Sequence, residues 1–192
     1  MQSLITQINE EQKRSGVPLS SKKSKIWFRD KVKELRITPK EIVKETDRYS
    51  SRAMVGKMYF YFYDPKTKDV LPYYDKFPLV IPLERYSDGF LGLNLHYVPP
   101  RMRLAILGNL WKRLNNQRMD ETTRLRITYD YISQLRSFPL MRPCVKRYLN
   151  QYIRSRIVEI YPNEWYSCVM LPFERFAKAT KKTVYGDPTG VY

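Results

Sequence analysis

Few side chains in this chain are of a type and spacing to do covalent or metal chemistry. His96 is the sole histidine, and Asp64, Asp69, Asp75 and Asp88 sit in or beside turn-forming strings. A nuclease would need paired carboxylates near strand ends to hold Mg²⁺. No acidic pair here is followed by a strand-borne acid and a lysine, so the aspartates are expected to build turns. His96 is expected on a strand face as a hydrogen-bonded structural residue and not a general base. Cys144 and Cys168 lie far apart and in no metal-type spacing. Neither a zinc site nor a disulfide framework is suggested, and buried free thiols in a reducing cytoplasm are expected. No Gly-rich phosphate loop of the Walker type is present. The expectation is a protein that is not an enzyme and takes no metal or cofactor.

Binding chemistry is better represented. The chain carries 35 Lys and Arg against 19 Asp and Glu, a net charge of +16. Residues 13–57 carry net +9 and residues 101–156 net +10, while residues 58–100 between them are at −1. Clustered cations release counterions from phosphates, and exposed aromatic faces stack on bases. Phosphate contacts are therefore expected from Lys22, Lys23, Arg29, Lys33, Arg101, Arg103, Lys112, Arg113, Arg147 and Arg154, beside Tyr59 and Tyr61. Tyr63, Tyr73, Tyr74 and Phe90 add to the aromatic content, although aromatic strands more often form core. The partner predicted is nucleic acid, DNA in preference to RNA. No apolar run approaches the length of a membrane span, and the N-terminus lacks a signal-peptide pattern, so no membrane is expected and synthesis is placed in a cytoplasm.

The elements that must position these residues can be placed from periodicity. Residues 1–25 suggest a short amphipathic helix followed by a basic arm. Ile26 to Arg36 is helical, and Thr38-Pro39-Lys40-Glu41 has the form of a capping box opening a helix toward Arg48. Met58 to Tyr63 alternates Met58, Phe60 and Phe62 with Tyr59, Tyr61 and Tyr63, as a strand does. Val70 to Tyr74 is expected to return antiparallel to it. Phe77 to Pro82 holds two prolines, which favour an edge or a bulge. Ser87-Asp88-Gly89 predicts a turn into a strand from Phe90 to Tyr97. Pro100 then starts a helix, Asp120 caps another, and Val145 to Arg156 is predicted helical. Ile157 to Tyr161 is a candidate last strand, and Pro162 to Trp165 opens a terminal helix. The fold expected is α+β: a small antiparallel partial β-barrel, SH3-like or OB-like, flanked by basic helices. Its boundaries would be an arm at 1–25, one domain at 26–176 with its β core at 58–97, and a tail at 177–192.

The run MYFYFYDPKTKDVLPYYDKFPLVIPLERYSDGFLGLNLHYVPP, with DETTRLRI and IYPNEWYSCVMLPFERF after it, resembles a family of small proteins encoded by T-even-like tailed bacteriophages. The likeness covers about Ile26 to Phe176, and no catalytic residues come with it. It implies a phage origin and two functional readings. One is a non-enzymatic nucleic-acid-binding protein in the host cytoplasm during infection. The other is a structural or assembly component of the virion, in neck, tail or baseplate, with other phage structural proteins as its partners.

Overall fold

The computed structural model describes residues 3–19, 21–45, 47–114 and 119–186. Among them the helices are α1 (Leu4–Ser15), α2 (Lys22–Glu34), α3 (Pro39–Ile42), α4 (Pro100–Leu114), α5 (Glu121–Leu135), α6 (Trp165–Met170) and α7 (Lys181–Gly186). The strands are β1 (Tyr49–Ser50), β2 (Met58–Phe60), β3 (Tyr74–Asp75), β4 (Leu79–Tyr86), β5 (Gly89–Asn94), β6 (Val145–Leu149), β7 (Ile157–Ile160) and β8 (Phe176–Ala177).

Six strands form one antiparallel sheet in the order β1-β7-β2-β4-β5-β6, and β3 pairs with β8 in a second, two-stranded sheet. The architecture is α+β. Among the described residues no pairing joins β1 to β6, so the sheet is not a closed barrel. The β core also extends well beyond residues 58–97, because β1, β6 and β7 come from outside that range.

Alternation in β2 divides the core into two layers. Met58 and Phe60 join Leu79, Ile81, Leu93, Val158 and Ile160 under the helices, where Phe28, Ile106, Leu110 and Trp165 cover them. Tyr59, Tyr61 and Tyr63 face the opposite way and pack with Val80, Phe90 and Tyr148. The second layer is not solvent-facing. Tyr152, Ile153 and Ile157, in and beside the link from β6 to β7, lie over it.

Several elements fall where local chemistry puts them. The Thr38 and Glu41 side chains form the capping box of α3, and Asp120 accepts from the Thr123 N–H at 2.7 Å to cap α5. Ser87 and Asp88 form the two-residue link of the β4–β5 hairpin, with Tyr86 opposite Gly89. The register shifts between Pro82 and Glu84, the bulge that a proline in a paired strand favours.

Other elements depart from expectation: α3 stops at Ile42 short of Arg48, and β5 stops at Asn94, leaving Leu95–Tyr97 as a 3₁₀ turn. Val70 to Tyr74 does not return on β2; that place belongs to β4, and Tyr74 pairs instead with Ala177. Val145 to Arg156 is not a helix but β6 followed by a single 3₁₀ turn, Asn150–Tyr152. Pairing with all of Gly89 to Leu93 overrides a weak helical pattern there. Near the C-terminal end, Val184 is buried in the main core, and the Lys178 ammonium reaches the carbonyls of Lys68, Asp69 and Leu71 at 2.6, 2.8 and 3.1 Å. Pro188 and Gly190 lie outside the described residues.

Candidate nucleic-acid interface

The cations expected at a binding site do not converge on the tyrosine layer. Lys23, Arg29 and Lys33 are exposed on α2, and Arg101, Lys112 and Arg113 are exposed on α4. Both helices pack on the Met58 and Phe60 side of the sheet. The Lys22 side chain lies outside what the structure describes. Arg113 lies 5.1 Å from the centre of the Tyr131 ring.

Three expected contact residues are interior and leave the candidate set. Arg103 is 1% exposed. It donates to the carbonyls of Val98, His96 and Val169 and pairs with Glu174 at 2.6 Å, so its guanidinium is consumed in holding α4 to the α6 region. Tyr59 is fully buried and its hydroxyl accepts from the Met54 N–H at 3.0 Å. Tyr61 is fully buried too, edge-on to Tyr63, Phe90 and Tyr148. Neither ring can meet a base in this conformation. The Tyr61 hydroxyl has no hydrogen-bond partner among the described residues, and burial pushes its pKa well above the usual phenol value.

The residues with catalytic potential are interior as well. His96 Nδ1 lies 2.8 Å from Asp75 Oδ2, with His96 1% and Asp75 3% exposed. Asn94 bridges Asp75 Oδ2 and the Tyr148 hydroxyl. Asp75 is thus a core carboxylate and not the turn residue expected. Asp64 does hold a turn, through Lys68 at 3.0 Å. Burial raises the Cys144 thiol to about 11 and pushes Cys168 higher still, which keeps both protonated.

A different set of residues does converge. A groove of about 900 Å³ runs between β1, the end of β4 and the residues leading into β7. It is lined by Arg52, Arg85 and Arg156, by Ser50, Ser51, Ser87 and Ser155, and by Asn150, with Tyr49 and Tyr86 among its walls and Phe90 in its lining. Among the described residues none that lines it is acidic. The adjacent acids Glu84 and Asp88 are paired with cations, Glu84 with Arg136 at 3.6 Å and Asp88 with Arg147.

Local structure places each of these arginines. Ser50 pairs with Ile157 across β1 and β7, which brings Arg52 and Arg156 to one end. Arg156 stacks over the Tyr49 ring at 4.0 Å. Arg85 lies opposite Phe90 in the hairpin, and Arg147 stacks over Tyr86 at 4.2 Å. Of the cations expected from sequence, Arg147 therefore borders the groove. Arg154 is nearby in sequence, anchored by its backbone N–H to the Phe62 carbonyl at 2.8 Å and lying 5.7 Å from the Tyr152 ring.

Planar guanidinium forks among hydroxyl and amide donors form an arrangement suited to phosphate oxygens. The family model of the phage T4 terminal DNA protecting protein matches residues 1–187. The chain belongs to this family. No curated protein and no solved structure matches it. The phage origin implied by the β-segment strings is thus shown, and the terminal DNA protecting protein family extends the likeness over the N-terminal helices as well. Arg52, Arg85 and Arg156 were not among the expected contacts. The signal for them was present in three short strings rich in Arg, Ser and Tyr: Tyr49-Ser-Ser-Arg52, Arg85-Tyr-Ser87 and Arg154-Ser-Arg156. Among the described residues no helix is long and apolar enough to cross a membrane.

Proposed function

We propose that this protein binds DNA at its termini and shields them without catalysing a reaction on them, acting in the cytoplasm of the infected host. The observation that carries DNA binding is the groove of Arg52, Arg85 and Arg156, with four serines and an asparagine and no acidic residue among those that line it, while the preference for termini rests on the family description. Phosphates would lie along it, held by arginine forks and hydroxyls. The family description, a protein that protects terminal DNA, supports the same substrate. Lys23, Arg29, Lys33, Arg101, Lys112 and Arg113 would contribute attraction at a distance from the helical side, not contacts in the groove. Burial of His96 supports a non-catalytic role, since its imidazole is 1% exposed and engaged with Asp75.

A mobility shift at physiological salt tests this. A linear duplex should be retarded and resist exonuclease, while the same duplex closed by hairpin loops at both ends should compete poorly. Absence of a shift at that salt, or equal competition by closed DNA, would overturn the proposal. Exposed Phe138 and Leu140 on the turn after α5, with Trp111 on α4, favour a second reading as a virion component docked on other phage proteins. Absence of the protein from purified particles by mass spectrometry would remove that second reading.

A further inference from the structure

Phosphate contacts along a groove cannot by themselves tell a DNA end from its interior, because both present the same backbone. What an end alone offers is a terminal base with one unstacked face and a small cost of unpairing. A second cavity beside the groove has the size and lining for such a base.

This cavity, of about 270 Å³, opens at the outer edge of β6. Tyr63, Tyr73, Tyr74, Tyr97 and Tyr148 line it, together with Pro65 and Leu71. It is smaller than the roughly 300–1,000 Å³ of pockets that take drug-sized ligands, room for one base and not for a base pair. The rings are held in place. The Tyr63 hydroxyl accepts from the Leu149 N–H at 3.2 Å, the Tyr97 hydroxyl from the Asp75 N–H at 3.2 Å, and the Tyr148 hydroxyl from Asn94 at 3.0 Å. Burial pushes the pKa of Tyr97 and Tyr148 well above the phenol range and that of Tyr63 upward, so the walls stay neutral.

Charge favours a nucleotide as the occupant. Lys66, Lys146 and Arg147 lie in the lining, with the Lys146 ammonium 4.6 Å from the Tyr97 ring centre. The lining carboxylate is Asp75, already engaged by His96 and Asn94. The cavity and the groove share a rim: Arg147 lines the cavity while stacking on Tyr86 of the groove, and Leu149 of the cavity precedes Asn150 of the groove.

We infer that the tyrosine-lined cavity at β6 receives a single unpaired nucleotide from a DNA terminus whose duplex phosphates lie in the arginine groove. This rests on the end-binding reading above and adds the feature that distinguishes an end. The probes are three duplexes of one sequence carrying 2-aminopurine at the terminal position: blunt and paired, as a one-nucleotide 3′ overhang, and as a one-nucleotide 5′ overhang. The wild-type protein should bind one of the overhang duplexes about tenfold more tightly than the blunt one, in line with the roughly 1–3 kcal/mol of one base–aromatic stack. Its 2-aminopurine fluorescence should also be quenched on binding.

Tyr74→Ala, which removes a half-buried wall, and Thr67→Glu, an exposed rim residue given a charge repelling phosphate, should each abolish the preference and the quenching. Both should leave blunt-duplex affinity within about threefold of wild type, the scale of one screened surface charge. Neutralising Arg52, Arg85 and Arg156 should weaken all three duplexes while preserving their ratio. Equal affinity for the three duplexes with unchanged fluorescence would overturn the cavity inference and leave the groove reading standing. No binding of any duplex would overturn both.

Discussion

Replacing Arg52, Arg85 and Arg156 together by glutamine isolates the groove. All three are exposed, and among the described residues the stack of Arg156 on Tyr49 is the ring contact at stake, so the fold should survive with little change in melting temperature. If each guanidinium neutralises one phosphate, the variant releases three fewer counterions, and the slope of log K against log salt should fall in magnitude by about 2.7. At about 0.15 M salt the same relation gives a loss of about 150-fold in affinity. Fluorescence anisotropy of a labelled duplex, titrated from about 50 to 300 mM KCl, reads both quantities. The matched control is Lys23→Gln with Arg29→Gln and Lys33→Gln, which removes the same charge from the far side of the sheet and should change the slope by less than about 1. An unchanged slope in the groove variant, or an equal change in the α2 control, would refute the placement of phosphates in the groove.

Other expectations concern the interior. Burial alone would raise the Glu174 pKa, but Arg103, then His96 and Lys181, outweigh it and hold the carboxyl at about 2 against an ordinary 4.5. Its stabilising contribution is therefore complete above about pH 4.5 and lost as pH falls toward 2, an amount of about 3 kcal/mol. Chemical denaturation of Glu174→Gln should show that loss at neutral pH and a flatter stability profile in that window; a slope equal to wild type would contradict it. Tyr61→Phe removes a buried hydroxyl with no partner among the described residues and should raise stability by about 1 kcal/mol, whereas a loss of that size would show that the hydroxyl is satisfied. A Cβ on Gly89 would fall 1.9 Å from the Tyr148 carbonyl oxygen. Gly89→Ala should therefore force β6 off β5 and cost about 3 kcal/mol in urea unfolding; a cost under about 1 would mean the edge shifts freely.

What could be read in the sequence was local. Alternation from Met58 to Tyr63, the Thr38 and Glu41 capping box, the Asp120 cap and the Ser87-Asp88-Gly89 turn each depend on neighbours within a few residues, and each is present. Long-range placement was not legible. Nothing near Val145 announces that it pairs with Leu93, a contact that also requires Gly89 to leave room for the β6 backbone. Arg103 sits on a basic helix among exposed arginines, yet the carbonyls that draw it inward belong to His96, Val98 and Val169. The tyrosine layer looked like an exposed platform because the segment that covers it comes some ninety residues later. The groove was invisible for the same reason, its arginines lying at three strand ends far apart in the chain.

The position of β7 between β1 and β2 has a consequence for how the molecule is made. Tyr49 and Met58, nine residues apart, are never direct neighbours in the sheet; each waits for a strand translated about a hundred residues later. Such non-local pairing slows folding relative to hairpin-first topologies, and it leaves the edges of β1 and β2 open until residue 160 has been synthesised. The groove has no existence in a nascent chain that stops short of Ile157. The proposed affinity for DNA therefore arrives with the completion of the sheet, and a partly made polypeptide carries the charge of the protein without the groove.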